Sequence, residues 1–299
     1  MGDLPDLAKF NKETRLFWAW LTMQVEKINS PIIQVFMAPL GKPHVVISDY
    51  REAHDILVHR HKEFDRADFF AETMGPLAPE GHILFKSDDK FRLHRKVIGD
   101  LMSPSFLQHV AAPSLYVNLC KHIQLWDAKI ALSQGRPFEA MDDIYYSALD
   151  AVKDSVFGKE IDLGIDRIRG GKDGSRVKSA LDHMLFREAT IAEKEGRLPD
   201  FHRRMIYDET ITFISAGHDT SSTTLCWGIK RLADNPGIQE KLRKQLRATL
   251  SAASSEGRWP THNEILRTSM PYLDAVVEEM LRLAQPAHKS SCSPMDRAF

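Results

Sequence analysis

Cysteine is scarce in this sequence. The three present, Cys120, Cys226 and Cys292, stand far apart with no CxxC pair. That spacing excludes a disulfide framework and a zinc cage, and it fits a reducing compartment. A surplus of either charge is also missing. The 40 Lys and Arg face 41 Asp and Glu, so bulk nucleic-acid binding has no support and no nucleic-acid partner is expected. Long apolar runs are lacking at the N-terminus. Its one short cluster, LFWAWL at 16–21, falls far below the ~20 residues that cross a bilayer, and no signal-peptide pattern accompanies it. That cluster reads either as an interfacial helix or as an amphipathic core helix. No internal repeat or long low-complexity tract occurs. What is plentiful is apolar residues, 43% of 299, enough for a substantial core in one large domain or two ordinary ones.

The local patterns predict a mainly α chain with a small N-terminal β-sheet. PIIQVFMA (31–38) and GKPHVVIS (41–48) are short β-branched runs punctuated by Pro and Gly, which predicts a sheet over about 31–48. From DYREAHDILV the spacing turns helical, with Ser48 or Asp49 as N-cap. GPLAPEG (75–81) reads as a loop. KSDDKFRLHRKVIGDLMS (86–103) reads as a basic helix with Phe91, His94 or Arg95, and Ile98 along its length, its basic residues forming a solvated face. Pro113 to Phe157 stays helical apart from SQGRP, and GIDRIRGGKDGSR (164–176) reads as a flexible connection.

One segment resists simple assignment. SAGHDTSSTT (215–224) has the composition of a loop, yet it lies between the helical patterns DETITFI and LCWGIKRLAD. With Asp200 as cap and ADNPG as stop, an unbroken helix over about 201–233 would run roughly 50 Å. Gly217 inside it costs about 1 kcal/mol relative to Ala, which suggests a need for close access to the backbone. Ala216 and Gly217 would open a groove, with Thr220 one turn further on and Asp219 adjacent. A Ser/Thr-rich loop between two shorter helices remains the competing reading. A metal pair of His218 and Asp219 has less support, because consecutive helical residues diverge by ~100° and no second ligand pair sits at i+4. Cys120 and Cys226 read as core residues.

The flanking motifs give a resemblance. AGHDTSS resembles the oxygen-groove motif of the cytochrome P450 family. NPGIQEKLRKQLRATL resembles its next helix, with Asn235 as cap and Pro236 at the first position. THNEI carries a Thr261–Glu264 capping box. MPYLDAVVEEMLRL resembles the ExxR helix, about 271–284, with Glu279 and Arg282 as the pair. DDKFRLHRKVIGDLMSPSF is similar to the helix whose WxxxR motif binds a haem propionate, with Phe91 in the tryptophan position and Arg95 in the arginine position. The N-terminal GKPHVVISDYREAHDILVHRHKEFDRA resembles fungal, secondary-metabolite members. The ordered set spans most of Pro31 to Leu283.

This resemblance implies a single, incomplete P450 domain over 1–299, with 285–299 as a tail unlike any family segment. It implies haem b as cofactor, dioxygen, electrons from NADPH-cytochrome P450 reductase, and oxidation of an apolar small molecule, a fungal secondary metabolite. Thr220 would hydrogen-bond the oxygen species, Asp219 would relay protons, and Ala216 and Gly217 would leave room above the ring. Arg95 would pair with a propionate. Glu279 and Arg282 would form a structural pair. The family's haem-ligating loop, FxxGxRxCxG, has no match, and Cys292 lacks its context, so no metal ligand is identified. The alternative expectation is a truncated, inactive remnant without normal haem ligation. The region after SVFG (155–158) also reads as short where substrate-covering helices are expected. The family's endoplasmic-reticulum membrane location is implied, yet no anchor is found, which otherwise points to the cytoplasm.

Overall fold

The computed structural model describes residues 2–14, 17–37, 43–66, 69–158 and 179–284. The expected tail at 285–299, Cys292 and the whole glycine-rich connection at 164–176 lie outside these residues. The described chain is mostly helical with one two-stranded sheet. It divides into two compact units, residues 1–65 and 66–286.

In the first unit, helices α1 (Leu4–Thr14) and α2 (Phe17–Ile28) precede the antiparallel strands β1 (Ile32–Val35) and β2 (His44–Ile47), which pair Ile32 with Ile47 and Val35 with His44. Alternation along β1 sends Ile33 and Val35 inward, where they join Trp20 and Leu21 of α2 in a small core. The apolar cluster of α2 is therefore a core element. Trp20 is fully buried, and its indole Nε1–H donates to Asp6 Oδ2 at 2.9 Å. Helix α3 (Tyr50–His54) is capped by Asp49, whose side chain accepts from the Arg51 amide at 2.7 Å.

The second unit begins with α4 (Phe69–Met74) and α5 (Asp89–Ile98), the latter capped by Asp88. Then come α6 (Ala112–Ser133), α7 (Met141–Phe157), α8 (Ala180–Lys194) and α9 (Arg204–Asp234), followed by α10 (Pro236–Thr249), α11 (Ser251–Ser255), α12 (His262–Arg267) and α13 (Pro271–Ala284). Val97, Leu101 and Phe106 pack with Val156 of α7, Met184 of α8 and Met205 of α9 to form the main core.

Helix α9 is continuous for 31 residues, about 46 Å at 1.5 Å per residue, and SAGHDTSSTT lies inside it. The loop reading of that segment is overturned. Its hydroxyls explain why the helix survives them. Thr210, Thr212, Thr220 and Thr224 each donate to the carbonyl four residues back, at 2.7–2.8 Å, so no polar group competes for the ladder from outside.

Two expectations at helix ends are corrected. Asp200 does not cap α9. Its Oδ1 accepts from the His202 amide at 3.0 Å in a preceding turn, its own amide donates to buried Glu188, and the helix starts three to four residues later. Asn235 gives α10 no side-chain cap, because its amide nitrogen donates backward to Arg231 O at 2.9 Å. The Thr261–Glu264 capping box at α12 forms as expected, and Arg258 and the Thr261 bonds hold Glu264 down to about 2.

Candidate functional site

The expected site residues on α9 divide between two faces. Ala216 and Thr220, one turn apart, are exposed on an open side of the helix. Gly217 is turned about 100° away, toward α7. A β-carbon there would meet the Val152 methyls at 3.1 and 3.3 Å, so the missing side chain admits the neighbouring helix. Asp219 is half-buried beside His218, whose Nε2 lies 3.8 Å from Asp219 Oδ1. His218 Nδ1 sits 3.1 Å from Ile214 O, and the ring meets Tyr145 edge-on at 4.7 Å.

Thr220 Oγ1 donates its proton to Ala216 O at 2.7 Å. What it presents to the open face is therefore its lone pairs. A molecule arriving there meets an acceptor first, and a donor only if the hydroxyl rotates off its own helix.

On α5 the side chains sort by burial. His94 is almost fully buried and Phe91 half-buried under the Arg66 guanidinium, 4.0 Å from the ring centre, while Arg95 is exposed. Among the described residues Arg95 takes no hydrogen bond or ion pair, which leaves its guanidinium fork available to an anion. On α13, Arg282 grips Glu279 with two parallel bonds of 2.6 and 2.7 Å, and this pairing holds Glu279 below the usual carboxylate range. Both partners are exposed, and an exposed pair adds little stability.

Sequence reasoning missed the cluster that ties α5 and its preceding turn to α9. Glu209, buried near the start of α9, accepts from His94 Nδ1–H at 2.6 Å, His82 Nδ1–H at 2.6 Å and the His82 amide at 2.8 Å. Beside it, buried Asp208 accepts from the Glu80 amide at 2.7 Å and from Arg204 Nε at 2.8 Å. Burial pushes Glu209 up, but the His82 and His94 bonds outweigh it and hold the group below its ordinary value of 4.5. The adjacent acids opening an otherwise apolar helix were the only signal. Apart from Arg204, their partners Glu80, His82 and His94 lie more than a hundred residues earlier, beyond the reach of local spacing.

A family model for Cytochrome P450 matches residues 19–170 and 166–291. The chain belongs to the cytochrome P450 family. It is 31% identical to a cytochrome P450 monooxygenase of Pestalotiopsis microspora (GME11363), covering 95% of this chain and 65% of that protein. It is 30% identical to the cytochrome P450 monooxygenase TRI13 of Fusarium sporotrichioides, covering 95% and 64%. The chain thus spans somewhat under two thirds of the length of these relatives. The first alignment runs over 370 residues, more than the 299 of this chain, so the relative carries residues without a counterpart here. The two family-model matches meet at 166–170, within the glycine-rich connection. Among solved structures, a zebra fish cytochrome P450 with abiraterone superposes with a TM-score of 0.61 at 18% identity, covering 88% of this chain and 68% of that one. That likeness supports the fold alone.

The family implies haem iron, and the described residues fit it in part. An exposed, unengaged Arg95 suits a propionate, and the Ala216–Thr220 face is open. An axial thiolate has no fitting residue among those described. Cys226 is buried on α9 itself, six residues after Thr220, and one helix cannot serve both faces of a ring. Cys120 is half-buried on α6, and no His, Cys, Asp and Glu cluster among the described residues suits a metal. No described helix is long and apolar enough to cross a membrane.

Proposed function

We propose that this chain carries the oxygen-handling half of a P450 monooxygenase acting on an apolar small molecule, a fungal secondary metabolite, with electrons from NADPH-cytochrome P450 reductase at the endoplasmic reticulum. Haem, when bound, supplies the oxidation chemistry. The residues of this chain supply the surroundings. Arg95 binds a propionate carboxylate through its guanidinium fork. Ala216 keeps the α9 face low beneath the substrate, and Gly217 fixes the height of that face by letting α7 approach. Thr220 accepts a hydrogen bond at the open face, and Asp219, one residue back, passes protons toward it through water. Glu279 and Arg282 pair on the exposed side of α13. The observation that carries this reading is the unbroken α9 with Ala216 and Thr220 one turn apart on its exposed side.

The second reading is a chain without normal haem ligation; no residue among those described fits the thiolate. Haem titration of the purified chain, followed by absorption, tests the first reading. Arg95→Leu is expected to weaken saturable haem binding by about tenfold, the worth of a charge-assisted hydrogen bond. Equal binding by both proteins would remove Arg95 from the site. Reduction under carbon monoxide tests the second. No thiolate-type Soret band is expected, and a stable one would assign a cysteine ligand within the chain.

A further inference from the structure

In the middle of the hydroxyl-rich stretch of α9, one polar atom of His218 is left unsatisfied. His218 Nε2 is buried with no hydrogen-bond partner, one of two such side-chain atoms among the described residues. The other ring nitrogen fixes the tautomer. Nδ1 lies 3.1 Å from Ile214 O, and a carbonyl oxygen only accepts, so the hydrogen of a neutral ring sits on Nδ1. Nε2 is then a bare lone pair.

A carboxylate faces that lone pair. Asp219 Oδ1 stands 3.8 Å from Nε2, with the His218 side chain 12% exposed and that of Asp219 28%. An ionised carboxylate is also acceptor-only, so the two atoms repel each other until a proton lies between them. Water cannot mediate. Two hydrogen bonds in series span about 4.5–5.5 Å, more than this gap, and Nε2 has almost no accessible surface. The terminal torsion of an aspartate is soft, so a small turn of the carboxylate brings Oδ1 within direct bonding distance. The geometry suits one proton on either partner, as imidazolium with carboxylate or as neutral imidazole with carboxylic acid.

We infer that His218 is a positioning residue for Asp219 and that the two hold one proton in common. At rest Nε2–H bonds the ionised carboxylate. In delivery the N–H bond breaks as the Oδ1–H bond forms, no electron moves, and the acid then passes the proton through water toward Thr220. Because Nε2 is sealed, the proton enters and leaves it through the carboxylate, and solvent refills the pair by the same route. This inference rests on the proton role proposed for Asp219 and adds the source. The titratable groups set against the imidazole are Asp219 on its own helix and, across the helix interface, Tyr145 of α7, edge-on at 4.7 Å.

The test reads the His218 ring in the full chain by nitrogen NMR, with histidine labelled at its ring nitrogens and the signals of His218 assigned by their loss in His218→Gln. The ring is expected to release its Nε2 proton about one pH unit lower in Asp219→Asn than in the parent, the roughly tenfold fall in proton affinity that one charge-assisted hydrogen bond carries. Asp219→Ser should give the same fall, with circular dichroism confirming that each variant folds. Tyr145→Phe, which keeps the ring and removes the phenol, should give none. A fall under about half a unit in both Asp219 variants would overturn the proposal, since a screened neighbouring charge does as much. So would an equal fall in Tyr145→Phe, or a neutral ring that carries its hydrogen on Nε2. Haem and oxygen take no part in the measurement. It can therefore fail while Arg95→Leu still weakens haem binding, and it can succeed in a chain that binds no haem.

Discussion

Removing the Glu209 carboxylate would leave the buried His94 N–H and the part-buried His82 ring and amide N–H groups without their acceptor. Glu209→Ala is therefore expected to destabilise the second unit by about 3 kcal/mol, within the range for breaking a buried, hydrogen-bonded charge cluster. Urea unfolding measures it, and a loss near zero would mean that water replaces the carboxylate. The pH dependence follows from the direction of the shift. The folded group sits below its ordinary 4.5, so its contribution is complete above 4.5 and is lost as pH falls through the lower folded value. Glu209→Gln should flatten the stability curve across that acidic window, with little change in slope above it.

At the scale of elements, the contact between α9 and α7 turns on one missing side chain. Gly217→Ala gains up to about 1 kcal/mol of helix propensity. The new β-carbon, however, lies 3.1 Å from a Val152 methyl, so α7 must give by a few tenths of an ångström. The two effects nearly cancel, and the single substitution is expected to be close to neutral. In a Val152→Ala background the obstruction is gone, so the same change should stabilise. The double-mutant cycle then shows a coupling of about 0.5–1 kcal/mol, and strict additivity would show that the helices do not touch there. Element boundaries were legible where chemistry was local. Asp49, Pro236 and the Thr261–Glu264 box marked their helices because each signal acts within four residues. Asp200 misled because its carboxylate serves an amide two residues on while its own amide is held by Glu188. The hydroxyl-rich centre of α9 read more readily as loop than as helix on composition alone, since back-bonding to the preceding turn leaves no mark there.

Across the whole molecule, the order of motifs was sufficient for family and fold class, because that order is written directly in the chain. The partition of side chains was not. Gly217 pairs with α7, His94 turns inward where Arg95 turns outward, and Glu209 closes the cluster, all through packing between distant segments. Apolar surface is also a molecular property. Leu115, Leu119 and Leu225 are exposed together at the rim of an open apolar groove between α6, α7, α9 and α12, and a contiguous patch of that kind promotes association. The purified chain is expected to associate as its concentration rises. Replacing all three with Ser should lower the apparent mass in light scattering without loss of helix signal, and an unchanged mass would place the association elsewhere.

The cluster at Glu209 also has a direction in time. His94 and His82 precede their carboxylate by 115 and 127 residues, so both leave the ribosome well before the group that satisfies them. At about 5–20 residues per second, that interval is on the order of ten seconds. For that period the helix bearing Arg95 has no anchor on α9. The first half of this unit is consequently a nascent chain that waits, and its completion belongs to the moment residue 209 emerges.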